Sequence, residues 1–175
     1  QNPGAHLSFP STLPERNKMA LPRRARSTVW GMIALMALGL SAPLQAEERS
    51  CAVSHVRDGD TVECRDGSVI RLQGIDTPEL DQSHGQTAGR VLRERILGEH
   101  IRVETHGRGS YGRLIGTLHQ DGTNLNAWLV RRGHAWAYDR YLPEDSRYPA
   151  LERQARQAEK GLWSRPDPIP PWDWR

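Results

Sequence analysis

Lysine, phenylalanine and cysteine are scarce in this chain of 175 residues: it has one Phe and two Cys, and after residue 46 only Lys160 stands against 18 Arg. A surplus of positive charge is missing from the same stretch. Residues 1–46 hold five of the 24 basic side chains and one of the 21 acidic ones, leaving 19 and 20 for residues 47–175, a net charge of −1. The whole-chain value of +3 therefore belongs to the leading segment, and a generally basic body is excluded as an argument for binding nucleic acid. Any such binding must rest on a local site. No apolar run reaches the roughly 20 residues that a spanning helix needs. Val29 to Leu40 has 12 and is too short to be read as a span. There are no repeats and no long low-complexity linker, so the remaining ~130 residues suit one small domain with one core.

What is present begins with a leader. Met19 is the first methionine, and a basic stretch, the apolar run and a small residue at Ala46 follow it. This order predicts a signal peptide over 19–46, with 1–18 as an upstream or disordered segment, 47–163 as the domain and 164–175 as a Pro/Trp-rich tail. The alternative is an uncleaved anchor. An exported protein would be periplasmic or secreted, without a stable membrane anchor once the leader is removed. In that compartment an even cysteine count allows a disulfide. The Asp58-Gly59 turn folds 51–57 back on 60–65, which brings Cys51 beside Cys64 if one bulge intervenes; two separate thiols are the alternative.

Hydrophobic alternation predicts strands at 52–56, 61–64, 69–72, 101–105 and 114–119, with Asp66-Gly67 and Asp121-Gly122 as turns. Three- and four-residue spacing predicts helices over 87–97, from the cap Asn124 to Gly133, and over 150–160. The prolines of SRPDPIPPWDWR exclude regular helix or central strand, and Trp172 and Trp174 are expected to pin that tail to the body. Five short strands with an inserted helix predict an α+β fold, a five-stranded Greek-key β-barrel of the oligonucleotide-binding (OB) type with three helices.

The chemistry concentrates in Asp58-Gly-Asp60-Thr and Arg71-Leu-Gln-Gly-Ile-Asp76-Thr-Pro-Glu79. The Asp66-Gly67 hairpin sets Asp60 opposite Gln73, so Asp58, Asp60, Asp76 and Glu79 gather at one end of the meander. Like charges so close must hold protons, spread into solvent or bind a cation, and a hard divalent ion is the natural compensation. The plainer reading is a turn and a helix cap. Arg71 and Arg113, the second at a Gly-rich turn, add guanidinium groups that suit phosphate oxygens, or else simple salt bridges. Metal, carboxylates and two arginines are together the parts for phosphodiester chemistry.

These motifs, with Tyr111-Gly-Arg113 and NAWLVRRGHA at 126–135, resemble the staphylococcal nuclease family in order and spacing, over about residues 51–175. The resemblance implies an OB-type barrel and a Ca²⁺-dependent phosphodiesterase that acts on DNA and RNA and leaves 3′-phosphate ends. By the same resemblance Asp60, Asp76 and the Thr77 carbonyl would hold calcium. Arg71 and Arg113 would hold the scissile phosphate, and Glu79 would be the general base. Tyr111 would contact a nucleotide phosphate, and Tyr138 would line the base pocket, with the local alignment one residue short.

The sequence departs from the family where Ser110 replaces a lysine and where the loops after Glu79 and before Tyr111 are short, which bears on affinity rather than chemistry. His84, in the first of these loops, is read as a solvated histidine. A silent OB-type binding module is the alternative function. It predicts missing catalytic positions and a basic groove, whereas here the set is complete and the body slightly acidic. A monomer is expected.

Overall fold

The computed structural model describes residues 47–143 and 145–175. The expected leader, 19–46, and segment 1–18 lie outside them. In chain order the elements are β1 (Glu47–Val56), β2 (Thr61–Cys64), β3 (Val69–Leu72), β4 (Ile75–Asp76), α1 (Gly85–Ile96), β5 (His100–Arg108), β6 (Leu114–Gln120), β7 (Thr123–Asn124), α2 (Leu125–Arg131), β8 (Trp136–Ala137), α3 (Tyr148–Gln157) and α4 (Pro171–Trp174). Among the described residues no helix is long and apolar enough to cross a membrane.

The sheet runs β3-β2-β1-β5-β6-β7, and a parallel pairing of β3 with β6 closes β1, β2, β3, β5 and β6 into a barrel. This is the five-stranded OB-type barrel expected from the strand pattern. Closure leaves no free edge among those five strands. Inside it Val53, Val56, Val62, Ile70, Leu72, Ile101, Val103 and Leu118 are buried together with Leu92 and Ile96 of α1 and Leu125 and Leu129 of α2. The inward residues of β5 are Ile101, Val103 and Thr105, two apart, as the pleat requires.

A bulge between Val53 and His55 shifts the β1–β2 register, and Val53 lies opposite Cys64. The Cys51–Cys64 disulfide spans 5.3 Å between α-carbons and fastens the two strands. Asn124 caps α2 by accepting from the Ala127 amide at 2.9 Å. Two residues on, the fully buried Asn126 accepts from the Leu118 amide and donates to the carbonyls of Gln73 and Gly116. That side chain ties α2 to the end of the barrel where β3 passes into β4.

Two expectations need correction. The proline-rich tail does contain a helical turn, α4, because Pro171 occupies its first position, where a missing N–H costs nothing. Asp60 lies opposite Leu72 rather than Gln73: the Leu72 amide donates to its carbonyl at 2.8 Å, and Thr61 pairs with Arg71.

Candidate active site

Three short connections build the site. The turn from β1 into β2 supplies Asp58 and Asp60, the β3–β4 step supplies Arg71 and Asp76, and the loop leading to α1 supplies Thr77 and Glu79. Asp58 Oδ1 accepts the Asp60 amide at 2.9 Å, which sets the turn. Asp60 Oδ2 accepts the Thr77 amide at 2.8 Å and its hydroxyl at 3.0 Å, so the two connections are locked together. Gly59 is needed there, because a β-carbon on it would lie 2.8 Å from the Thr77 side chain and from Ala88 Cβ.

Arg71 spans the carboxylates. Its Nε lies 3.1 Å from Asp60 Oδ1 and its Nη2 2.8 Å from Asp76 Oδ1, while Nη1 donates to the carbonyls of Leu72 and Ile75 at 2.9 and 2.8 Å. Asp76 is buried, with 1 % of its side chain exposed. Its other oxygen, Oδ2, is bonded to Arg175, whose Nη1 is 3.0 Å from Glu79 Oε1. Burial pushes Asp76 up to about 6 with the Asp60 charge adding to it, against the pull of Arg71 and Arg175. Burial also raises Asp58 to about 6, again with help from Asp60.

Asp58, Asp60, Asp76, Thr77, Glu79, Arg71, Arg113 and Arg175 line a small polar cavity of about 130 Å³. A second cavity, about 670 Å³, adjoins it through Arg71, Arg113 and Arg175. This one also carries Arg108, Tyr138, Tyr141 and Trp172 and no carboxylate. Tyr138 reaches it because β8 pairs with β4: Asp76 lies opposite Trp136, and the Tyr138 amide donates to the Gly74 carbonyl.

The structure thus brings Asp60, Asp76, Thr77, Glu79, Arg71 and Arg113 to one cavity and Tyr138 to its neighbour. Tyr111 is elsewhere. It is 97 % exposed and lines a third hollow with residues 66–69, Arg108 and Arg113. Arg113 lies over its ring at 6.0 Å and donates from Nε to the Ser110 carbonyl at 3.3 Å.

Hard oxygen donors on an open polar cavity, with the carboxyl groups of Asp58 and Asp76 driven towards protonation, suit a hard divalent cation. Asp60 and Asp76 are the residues that would hold it. Among the described residues, no three His, Cys, Asp or Glu side chains already converge as ligands. Both oxygens of Asp76 are instead taken by guanidinium groups.

Sequence reading missed Gln82 and Arg175. Buried Gln82 accepts the Glu79 amide on Oε1 at 3.0 Å and donates from Nε2 to the Ile169 carbonyl, joining the Glu79 loop to the tail. Arg175 is 99 residues from Asp76, and no local spacing could have joined them. His84 is also not the solvated histidine expected. It is half-buried and stacked on His134, with its Nε2 2.9 Å from Nδ1 of that ring.

Residues 69–165 match the family described as staphylococcal nuclease homologue. An "Uncharacterized endonuclease" of Escherichia coli is 38 % identical over 147 residues, covering 82 % of this chain and 95 % of that protein. A "Micrococcal nuclease" of Shigella flexneri is 32 % identical over 166 residues, 87 % of this chain and 95 % of its own length. An "Uncharacterized endonuclease" of Haemophilus influenzae is 32 % identical over 133 residues, 74 % of each chain. Barrel, site and relatives define the class, a nuclease of the hydrolase type. The chain belongs to the staphylococcal nuclease family.

Proposed function

We propose that this protein is an exported, calcium-dependent nuclease that cleaves phosphodiester bonds of DNA and RNA and leaves 3′-phosphate ends. The observation that carries the reading is that Arg71 and Arg113 line both the carboxylate cavity and its carboxylate-free neighbour. A phosphodiester at that junction meets two guanidinium groups on one side and Glu79 on the other. Tyr138, one face of which Trp172 covers, would line the pocket of an adjacent base.

Glu79 accepts a proton from the attacking water, and the 5′-oxygen departs in line. Its main chain is fixed through Gln82, while its carboxylate stays 37 % exposed and open to water. Arg71 and Arg113 hold the non-bridging oxygens as charge develops. A calcium ion held by Asp60, Asp76 and the Thr77 carbonyl would supply further positive charge at the same oxygens. Tyr111 would serve substrate only along a strand that passes over the outer surface of the 110–113 turn.

Export is supported by the leader pattern of residues 19–46 and by the Cys51–Cys64 bond, which suits an oxidising compartment. A mature chain beginning near Glu47, found by intact mass, is the expected result; a product that retains Arg23 to Leu40 overturns it. The nuclease reading is tested by incubating DNA and RNA with the protein in calcium and in chelator and analysing the ends formed. Cleavage in calcium alone with 3′-phosphate products is expected. Failure to cut either polymer with any divalent cation would return the chain to a binding role.

A further inference from the structure

The tail segment 164–175 is fastened along its length beside the site. Arg165 Nη1 donates to Ser83 Oγ at 3.0 Å, and the Ile169 carbonyl accepts from Gln82. Trp172 stacks on Tyr138 with ring centres 5.2 Å apart and planes 15° from parallel, and it meets Trp136 edge-on at 6.4 Å. Three residues further, one helical turn on, Arg175 reaches Asp76 and Glu79.

Both oxygens of Asp76 are therefore in use, Oδ1 by Arg71 and Oδ2 by Arg175. A cation that coordinates Asp76 brings a second positive charge to an oxygen that a guanidinium already holds, and so competes with one of them. Arg71 is held by Asp60 and by two main-chain carbonyls, and its side chain is 16 % exposed. Arg175 is held at Asp76 and Glu79, and its side chain is 49 % exposed. Arg175 is the group that yields, and a divalent charge at Oδ2 repels its guanidinium directly. Trp172 keeps the tail in place on Tyr138, so Arg175 stays at the wall that it shares with the cavity of Arg71, Arg108 and Arg113. Four arginines on a wall that carries no carboxylate favour an anion, here the substrate's phosphate.

We propose that Arg175 is a third phosphate-binding arginine under metal control: without a cation it occupies Asp76 and Glu79, and once a cation takes Asp76 it turns to the phosphodiester in the adjoining cavity. This rests on the nuclease reading above and adds a residue to it. Metal and substrate binding become coupled through the tail, because the guanidinium that calcium expels is one that the substrate recruits.

The test compares the parent with Arg175→Ala and the conservative Arg175→Lys. Calcium affinity is measured by calorimetry without nucleic acid. Affinity for a hydrolysis-resistant phosphorothioate oligothymidylate is measured in calcium and in chelator, with thermal melts to verify folding. Arg175→Ala is expected to bind calcium roughly 5-fold or more tightly, the lower end of common coupling factors. It is expected to lose about tenfold in oligonucleotide affinity in calcium, the scale of one charge-assisted hydrogen bond, and less than twofold in chelator. Arg175→Lys should fall between the two. Unchanged calcium affinity in Arg175→Ala, or an equal loss of oligonucleotide affinity in calcium and in chelator, overturns the assignment while leaving a cleaving parent a nuclease. A parent that cuts neither DNA nor RNA with any divalent cation overturns the nuclease reading, and this assignment with it.

Discussion

Gly85 lies against the main chain of Glu79: a β-carbon at Gly85 would fall 1.7 Å from the Glu79 carbonyl oxygen. Backbone cannot yield as a flexible side chain can. The Gln82 amide donates to that same carbonyl at 2.9 Å, and the Gly85 amide donates to the Gln82 carbonyl at 3.0 Å. Gly85→Ala is therefore expected to push the 79–85 loop outward and misplace the carboxylate. Displacement by about 1 Å can cost on the order of 10² in turnover. Turnover and melting temperature measured together check this, with the rate expected to suffer far more than stability. Parent turnover in the variant would mean that the position of this loop does not matter to the chemistry.

The barrel was legible in the sequence because its strands carry period-two alternation between strong turns, and Val69–Leu72 and Thr61–Cys64 fall where that pattern puts them. The carboxylate cluster was legible because one hairpin connects its members, even though the register differs by a residue at Asp60. Arg175 was not, because its partners lie far along the chain and are chosen by tertiary packing, and the same holds for the bond from Gln82 to Ile169. His84 misled for the same reason. His134, 50 residues on, takes it out of solvent. The helical turn at Pro171 was hidden by a proline rule that holds within a helix but not at its first position.

The histidine pair gives a pH dependence. Burial lowers His134 to about 4, with the charges of His84, Arg132 and Arg90 adding to it, and burial also lowers His84. A group depressed on folding binds its proton more readily in the unfolded chain. Below the ordinary histidine value near 6.5, unfolding thus takes up protons, and stability falls as pH drops towards 4. The loss from His134 is on the order of 2 kcal/mol between those limits. His134→Gln should flatten this part of the stability curve in urea titrations. An equally steep curve in the variant would assign the acid sensitivity to other groups.

The disulfide closes a sequence separation of 13 residues. A loop of that size predicts on the order of 3 kcal/mol of stabilisation, chiefly by restricting the unfolded chain. Cys51→Ala with Cys64→Ala should lower the unfolding free energy from denaturant titration by that much and leave turnover of the folded enzyme unchanged, because neither sulfur lines the carboxylate cavity. Lost turnover in a variant shown to be folded would tie the β1–β2 bond to the position of Asp58 and Asp60.

Asp60 and Asp76 differ in what they release when neutralised. Asp60→Asn gives up charge but also disturbs the bonds from Thr77 that lock two connections together. Asp76→Asn frees Arg71 and Arg175 from a common anion. Both should weaken calcium binding by at least tenfold, as expected for removal of a charged oxygen ligand. Asp60→Asn should also lower the melting temperature of the calcium-free protein. Calorimetry showing parent affinity in both variants would place the metal elsewhere.

Glu79 separates an enzyme from a binding module. Its amide is held by Gln82 and its carboxylate touches only the edge of the arginine cluster, through Arg175. Glu79→Gln keeps the shape and removes the proposed base, so turnover should fall roughly 10²–10⁴-fold, the range of a positioned general base. Affinity for an inert oligonucleotide should hold or rise slightly, since one carboxylate that repels the phosphates is gone. Arg113→Ala acts differently. Its guanidinium lines both cavities, where the proposed function puts the developing phosphate charge, so turnover should fall more than ground-state affinity. A binding module would show the reverse, with no metal-dependent cleavage to lose and the arginine change dominating affinity. Single-turnover cleavage set beside oligonucleotide affinity for the two variants distinguishes these cases. Cleavage by Glu79→Gln at the parent rate would remove Glu79 from the chemistry and leave the proton to another acceptor in the carboxylate cavity.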